Sequence, residues 1–253
     1  MSYYLHDLPP FLFRYQGGRS EAFTARWDAL AYLAGFTLAL LWLKRSAARG
    51  ALQLPSGEVF DFTSTVALLG ALLGGRLGYL LVNERERFLG NLGLLLQLGQ
   101  RGMSFPGCVM GVALVTAVLA HQKRLSWLPL GDLLGVVAPL GLFVGGLARF
   151  MEGEPFGRVT RVPWAVLFPA EVHLTSFQPA QMTRLDLERL PWSSFDIMQV
   201  AHAAPRILDD LRLMLNPRHP VQVYEALLEG LLLFVILFIV AISRQVFNQQ
   251  ARL

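Results

Sequence analysis

The sequence predicts an all-α integral membrane protein: a helical bundle of about five spanning helices, with an interfacial helix and an irregular head on the outer face. The composition is 54% hydrophobic and only 16% charged, whereas soluble domains carry roughly 25% charged residues. Five apolar runs approach the ~20 residues that a helix needs to cross the hydrocarbon of a bilayer. Basic residues follow three of these runs, as expected for loops that fix the orientation of spanning helices.

The predicted elements follow one another along the chain. The spanning runs are Ala29–Leu43, Phe62–Val82, Met103–Ala120, Leu128–Phe150 and Val221–Ile242. Basic residues after the first, third and fifth runs place those ends in the cytoplasm and the N-terminus outside. The exceptions that would then also lie outside are Arg85, Arg87 and Arg101. Residues 88–98 are apolar but too short to span, which indicates an interfacial helix.

The region after the fourth run is different in character, because prolines and charged residues are frequent there. We therefore predict four segments in chain order. They are an N-terminal outer-face segment (1–27), the first four membrane helices (28–150), an outer-face head (151–220), and the last membrane helix with a cytoplasmic tail (221–253). Residues 1–20 have no basic start followed by a long apolar stretch, so no removable signal peptide is expected.

Composition also excludes several classes of function. The net charge of +4 is explained by basic loops beside lipid headgroups, so nucleic acid is not an expected partner. The single cysteine, Cys108, excludes an internal disulfide framework and a cysteine-rich metal site. It lies in an apolar run, which favours a packed side chain over a nucleophile. We expect neither a metal nor a cofactor.

Charged residues inside or beside the apolar runs are the candidate functional groups, since a charge near hydrocarbon costs several kcal/mol unless it is paired or faces a wet cavity. Arg76 and Tyr79 share the second run with glycines at a spacing of four, which let helix backbones approach closely. Arg76 is either a ligand for a polar group or an arginine beside a bundle cavity. The fourth run ends in Arg149, Glu152, Glu154 and Arg158. These groups either form structural ion pairs or cradle a phosphate, whose oxygens match the fork of arginine.

The fifth run opens with a dense set of polar residues. They are Arg218, His219, Gln222, Tyr224 and Glu225, with Pro220 at the start of the helix. Gln222 and Glu225 lie three residues apart, on neighbouring positions of one helix face. His219 with Glu225 could form a base and the group that orients it. A capping histidine and a hydrogen-bonded interior glutamate are the structural alternative.

Six stretches, taken together and in order, resemble the prolipoprotein diacylglyceryl transferase family over roughly residues 25–240. They are Tyr32–Phe36, Gly74–Tyr79, Gly102–Phe105, Pro139–Phe143, Gly153–Arg158 and His219–Glu225. The resemblance implies a multi-pass protein of the bacterial inner membrane whose N-terminus and head are periplasmic and whose C-terminus is cytoplasmic. It also implies transfer of the diacylglyceryl group of phosphatidylglycerol to the cysteine thiol of a prolipoprotein signal sequence, in lipoprotein biosynthesis.

On this resemblance the candidate residues take roles. Arg149, His219 and Glu225 are the predicted catalytic residues. The predicted ligands of the lipid phosphate are Arg76, Arg158 and Arg218. The predicted supporting residues are Tyr79, Glu154, Gln222 and Tyr224. The expected partners are phosphatidylglycerol or another anionic phospholipid, a prolipoprotein signal peptide, and a possible membrane-protein partner.

The chain departs from the family at polar positions. The family ends its fourth helix with Gly-Arg-x-x-Asn-Phe-x-Asn-Gly-Glu, where this chain has Gly146, Arg149 and Glu152 at the arginine and asparagine positions. Pro106 replaces a histidine, and Arg26-Trp27-Asp28-Ala29 stands for His-Trp-Tyr-Gly. The family continues into another spanning segment, which we expect this chain to lack.

These departures leave three hypotheses. The first is a divergent diacylglyceryl transferase. The second is a non-catalytic relative that binds lipid, signal peptide or a partner membrane protein, and that could be one subunit of a larger complex. The third is a transferase or transporter for another anionic lipid.

Overall fold

The computed structural model describes residues 3–9, 11–15, 23–50, 52, 54–97, 102–174, 177–180, 197–198, 202–203 and 205–250. Residues 11–15, 23–26, 205 and 244–250 are described by their backbone alone. Of the sequence-based predictions, those that concern Arg101, residue 98 of the interfacial segment and residues 251–253 of the tail lie outside the described residues.

Helices make up most of the described chain, which confirms the predicted fold class. They are α1 (Trp27–Ala48), α2 (Val59–Asn83), α3 (Arg85–Gly90), α4 (Phe105–Gln122), α5 (Trp127–Glu152), α6 (Pro205–Met214) and α7, which begins at Val221 and ends in the segment Leu233–Gln250. Two of them contain a wider π-helical stretch, Val66–Leu73 in α2 and Ala226–Leu232 in α7. Short 3₁₀ turns cover Leu92–Leu96 and Pro169–His173.

Four helices of the described chain are long and apolar enough to cross a membrane. They are Val59–Asn83, Phe105–Gln122, Trp127–Glu152 and Val221–Ser243, which match four of the five predicted spans. The remaining predicted span forms the 22-residue helix α1 but is not among the four, because Asp28, Lys44 and Arg45 lower its hydropathy at both ends. Its passage through the membrane stays a prediction.

The predicted interfacial helix over residues 88–98 is broken in the structure. Helix α3 ends at Gly90, and a separate 3₁₀ turn begins at Leu92. The break occurs at Asn91, whose side chain accepts a hydrogen bond from the Gly93 N–H at 3.0 Å and so caps the second element. Asparagine and glycine favour such local turns over a continuous helix.

The chain packs as two compact units that are not contiguous in sequence. The first contains Met1–Ala34 and Pro139–Ile236, and the second contains Gly35–Ala138 and Leu237–Leu253. These two units do not coincide with the four predicted segments. The segments were defined by their position relative to the membrane, and they stay a prediction.

In the second unit, glycines bring helices α2 and α4 into backbone contact. A Cβ atom on Gly78 would lie 2.8 Å from the Gly107 Cα, and one on Gly74 would lie 2.9 Å from the Gly107 carbonyl oxygen. Small residues at a spacing of four permit this approach between membrane helices. The glycines of the second run therefore act in packing, and the π-helical stretch of α2 is part of the same contact.

In the first unit, a small sheet joins the N-terminus to the head. Strand β1 (Tyr4–Leu5) runs parallel to β4 (Val166–Leu167), which pairs antiparallel with β5 (Pro217–Arg218). A separate hairpin pairs β2 (Phe11–Tyr15) with β3 (Phe23–Arg26). The head is thus more ordered than the sequence predicted, because residues far apart in sequence supply one another's backbone hydrogen bonds.

Candidate active site

Helices α5 and α7 touch at a position without a side chain. A Cβ atom on Gly146 would lie 2.8 Å from the Ala226 Cβ and 3.0 Å from its backbone nitrogen. One turn further on, a Cβ on Gly230 would lie 2.5 Å from the Phe143 Cα. An arginine side chain at position 146 would therefore collide with α7 in this structure.

The Gly146–Ala226 contact brings Arg149 and Glu225 together. Arg149 lies three residues after Gly146 in the last turn of α5, and Glu225 directly precedes Ala226. The Arg149 Nη2 and the Glu225 Oε2 are 2.8 Å apart, with 42% and 32% of the side chains exposed. A phosphate would compete with Glu225 for the Arg149 guanidinium, and a proton would compete with Arg149 for the Glu225 carboxylate. The sequence predicted both as catalytic, and the structure makes them one ion pair.

His219 is held by a different partner. Its Nδ1 lies 3.0 Å from the Tyr224 hydroxyl oxygen, which also accepts a hydrogen bond of 2.7 Å from the Trp164 indole N–H. No hydrogen bond between His219 and Glu225 is found among the described residues, and their predicted pairing stays a prediction. Tyr224 lies one turn after Pro220, so its ring folds back over His219, whereas the next residue, Glu225, points about 100° further round the helix.

The backbone around His219 is fixed by the loop that follows α5. The His219 N–H donates to the Arg158 carbonyl at 3.1 Å, and the His219 carbonyl accepts from the Gly157 N–H at 3.0 Å. A Cβ on Gly157 would lie 2.7 Å from that carbonyl oxygen, so only glycine permits this approach. The Gly153–Arg158 stretch thus serves to place His219 at the start of α7.

Arg218 was predicted to bind a lipid phosphate, but it has internal partners. Its Nη2 donates to Glu171 Oε1 at 2.6 Å and its Nη1 to the Gly157 carbonyl at 2.9 Å. Only 15% of the Arg218 side chain and none of Glu171 is exposed. The guanidinium also lies 5.0 Å from the centre of the Phe156 ring. In this structure Glu171 neutralises the Arg218 charge, and the role of Arg218 as a phosphate ligand stays a prediction.

Glu171 is a residue that the sequence analysis missed. Besides Arg218, it accepts hydrogen bonds from the backbone N–H and the side-chain amide of Asn216, at 2.9 and 3.0 Å. It therefore fixes the segment that leads into His219. The signal in the sequence is weak: one acid in the apolar stretch Ala165–Val172, 47 residues from its arginine.

The other predicted residues of this unit differ in their surroundings. Arg158 is exposed, and no hydrogen bond or ion pair of its side chain is found among the described residues. Glu154 is also exposed. The Glu152 Oε1 accepts a hydrogen bond from the Asp28 backbone N–H at 3.4 Å. Gln222 is fully buried, and neither atom of its amide has a hydrogen-bond partner within the described part of the chain.

Arg76 and Tyr79 lie in the second unit. Arg76 is only 1% exposed, and its guanidinium donates to the carbonyls of Leu94 and Gly102 at 3.4 and 3.2 Å. It lies 5.8 Å from the Tyr79 ring centre. Its role as a phosphate ligand stays a prediction. In this structure the Arg76 side chain connects α2 to the 3₁₀ turn Leu92–Leu96 and to Gly102.

Within the described residues, no group of three or more His, Cys, Asp or Glu side chains is placed to hold a metal ion. Cys108 is half-buried against Gly75, as expected for a packed side chain. The chemistry available at the site is that of arginine, histidine and carboxylate groups.

Comparison with known proteins identifies similar chains. The family model described as prolipoprotein diacylglyceryl transferase matches residues 19–252. A phosphatidylglycerol–prolipoprotein diacylglyceryl transferase of Geobacter sulfurreducens is 34% identical over 215 residues, covering 85% of this chain and 66% of that protein. One of Rhodospirillum rubrum is 36% identical over 216 residues, covering 85% and 64%. One of Xanthomonas campestris is 32% identical over 237 residues, covering 93% and 70%. The chain thus spans about two thirds of the length of these relatives.

Proposed function

Since the chain belongs to the prolipoprotein diacylglyceryl transferase family, we propose that it moves the diacylglyceryl group of phosphatidylglycerol to the cysteine thiol of a prolipoprotein. The observation that carries this proposal is the family match over residues 19–252. The arrangement around Arg149, His219 and Glu225 supports it, because these groups meet the needs of the reaction.

The reaction makes one bond and breaks one. The cysteine sulfur bonds to the glycerol carbon that carries the phosphate, the carbon–oxygen bond to that phosphate breaks, and glycerol phosphate leaves. The thiol must lose its proton, and the phosphate oxygens must be stabilised as negative charge gathers on them. The site therefore needs a proton acceptor and at least one cation, all within reach of a lipid that enters from the bilayer.

The ion pair supplies both needs through one exchange. In the free protein Glu225 neutralises Arg149. A lipid phosphate competes for the guanidinium, since arginine binds phosphate oxygens in a bidentate manner. Its arrival frees the Glu225 carboxylate to accept a proton. Arg158, exposed beside the His219 backbone, is the second proposed cation. His219 and Glu225 are the two candidates for the proton acceptor.

A direct assay tests this proposal. Purified protein is incubated with vesicles that contain labelled phosphatidylglycerol and a peptide that carries a lipobox cysteine, and the lipidated peptide is measured. We expect transfer by the wild-type chain and a loss of ~10²-fold or more in Arg149→Gln, as for removal of one charge-stabilising donor. Arg161→Gln, which changes an exposed head arginine, is the matched control and should stay within about twofold.

Two outcomes contradict the proposal. One is the lack of lipidated peptide with the wild-type chain, together with failure to rescue cells depleted of their normal enzyme. The other is equal activity of Arg149→Gln and the control. Copurification of a membrane-protein partner that restores transfer would instead support the further prediction that the chain works within a larger complex.

A further inference from the structure

Three polar groups from separate parts of the first unit form one hydrogen-bonded chain. The Trp164 indole N–H donates to the Tyr224 hydroxyl oxygen at 2.7 Å, and that oxygen lies 3.0 Å from the His219 Nδ1. Trp164 comes from the head, 60 residues before Tyr224. Trp164 has no role in the reaction as described above. Although 61% of this large aromatic residue is exposed, its indole N–H points towards Tyr224.

The donors and acceptors of this chain fix where its protons lie. An indole nitrogen can only donate, so the Tyr224 oxygen is already an acceptor. A phenol has one proton of its own, and among the described residues the other hydrogen-bond neighbour of the oxygen is the His219 Nδ1. If the hydroxyl donates to Nδ1, the indole N–H and the phenol O–H each have one acceptor. If Nδ1–H donated instead, the Tyr224 oxygen would accept two hydrogen bonds. The phenol proton would then have no acceptor among these three groups. The first arrangement is favoured, because each donor then meets one acceptor.

A neutral imidazole carries its proton on one nitrogen only. With Nδ1 accepting from Tyr224, that proton lies on Nε2, so the face of the ring turned away from Tyr224 presents an N–H donor. A donor suits the oxygens of a phosphate that leaves with added negative charge. Nε2 then has no free lone pair, so it cannot accept a proton as a base.

We propose that Trp164 is a positioning residue that, through Tyr224, holds His219 with its proton on Nε2, so that His219 donates a hydrogen bond to the leaving phosphate. This inference rests on the proposed function. The thiol proton then goes to the Glu225 carboxylate, which phosphate binding to Arg149 sets free. The proton count is balanced: one proton leaves the thiol and one is gained by Glu225, while His219 keeps its own.

The position of the proton can be measured without any substrate. Ring ¹⁵N chemical shifts of the full chain in nanodiscs, at a pH where the ring is neutral, distinguish the two tautomers, and the His219→Gln spectrum identifies the signal among the five histidines. We expect an unprotonated Nδ1 and a protonated Nε2 in the wild type. We expect a mixture of tautomers in Trp164→Phe, which keeps the ring but loses the N–H. Trp127→Phe, at an exposed tryptophan outside the chain of hydrogen bonds, should match the wild type.

Two results of this measurement overturn the proposal. A wild-type His219 with its proton on Nδ1 removes the donor role. A tautomer population in Trp164→Phe that equals the wild type removes the role of Trp164. Neither result depends on catalysis, so this inference and the proposed function can fail separately.

Kinetics provide the second test. The amide nitrogen of glutamine replaces an imidazole Nε2–H as donor but cannot act as a base. We therefore expect His219→Gln to keep transfer activity within about 10-fold of the wild type, whereas loss of a general base costs ~10²–10⁴-fold. Trp164→Phe should lower kcat by several-fold and leave KM within about twofold, because the donor acts on the leaving group. A loss of ~10²-fold or more in His219→Gln, with the fold intact by its spectrum, assigns His219 as the base and overturns the proposal.

Discussion

At the scale of single residues, the site is held by a carboxylate that takes no part in the proposed reaction. Glu171 is fully buried and accepts hydrogen bonds from Arg218 and from both donors of Asn216. These contacts fix the strand that leads into His219. Buried ion pairs of this kind set geometry more than stability.

Removal of the Glu171 carboxylate should destabilise the protein strongly. Glu171→Ala leaves the Arg218 charge buried without its partner, and breaking such a pair costs about 3–5 kcal/mol of unfolding free energy. The melting temperature in detergent measures the effect. Asp209→Ala, at an exposed head position, is the control and should melt as the wild type does.

The double variant Glu171→Leu with Arg218→Met separates charge from packing. Replacing both partners of a buried pair by apolar residues is often neutral or stabilising, so the double variant should melt well above Glu171→Ala. A melting temperature as low as that of the single variant would contradict this account of the Arg218–Glu171 pair.

A buried histidine makes the stability of the head depend on pH. Burial lowers the pKa of His6, although a hydrogen bond of 2.7 Å to the Phe150 carbonyl acts in the opposite direction. In the unfolded chain the imidazole gains a proton below about pH 6.5, whereas in the folded chain it does so only at a lower pH. The unfolded state therefore binds more protons in this window, and stability falls as the pH falls.

We expect the unfolding free energy to decrease from pH 7.5 to pH 5, with a His6 contribution of at most about 1.4 kcal/mol per pH unit, the slope for one proton. Melting curves across this range measure it. His6→Gln should flatten the pH dependence, and His202→Gln, at an exposed head residue, should not. An unchanged slope in His6→Gln would show that other groups set the pH response.

The sequence indicated the candidate groups at the site but not the partners that they have in the structure. Arg149, His219 and Glu225 were found because charged and polar residues stand out beside apolar runs. The partners Glu171 and Trp164 were missed, since they lie 47 and 60 residues from the residues they contact, and nothing in their local sequence marks them. For the same reason the sequence did not indicate Tyr224 as the partner of the His219 Nδ1.

At the scale of elements, the contact between α5 and α7 decides which side chain can serve the site. Gly146 lies against the Ala226 backbone, so the cation nearest to this contact on α5 is Arg149, one turn later, which is the cation of the proposed reaction. The π-helical stretch of α7 begins at Ala226, directly at this contact. Such stretches occur often at functional sites.

A side chain at position 146 should separate the two helices. Gly146→Val forces atoms into the 2.8 Å gap to Ala226, and overpacking of this kind costs roughly 1–3 kcal/mol. We expect a lower melting temperature and a loss of transfer, since Arg149 moves away from Glu225. Gly145→Ala is the matched control, because a Cβ there meets nothing within 4 Å.

The same geometry predicts that the family arginine cannot simply be restored. Gly146→Arg should be at least as destabilising as Gly146→Val and should not raise transfer activity. A stable and more active Gly146→Arg would show that α7 can yield at Ala226, and would weaken the assignment of the cation role to Arg149.

The periodic, apolar elements were predictable to within a few residues, because they depend on hydropathy and length. The break of the interfacial segment was not, since it depends on one side-chain hydrogen bond at Asn91. The short strands β1, β4 and β5 carry no periodic signal, because each has only two residues and exists through pairing with distant chain.

At the scale of the whole molecule, the proposed orientation in the membrane is a separate prediction. Basic residues after α1, α4 and α7 predict cytoplasmic ends, and the head between α5 and α7 should face the periplasm of a bacterial inner membrane. Single cysteines introduced into Cys108→Ser at Asp209 and at Arg124 report this by labelling with an impermeant thiol reagent in whole cells. Asp209→Cys should label and Arg124→Cys should label only after lysis. The reverse pattern would invert the topology.

Sequence alone was enough to identify a membrane-embedded helical chain of the prolipoprotein diacylglyceryl transferase family. Hydropathy and local motifs decide those properties, and both are written in contiguous stretches of residues. Three pairings came from the folded chain: Arg149 with Glu225, Arg218 with Glu171, and Trp164 with His219 through Tyr224. These pairings depend on where backbones approach, at Gly146 and Gly157, and such approaches join segments that the sequence keeps far apart.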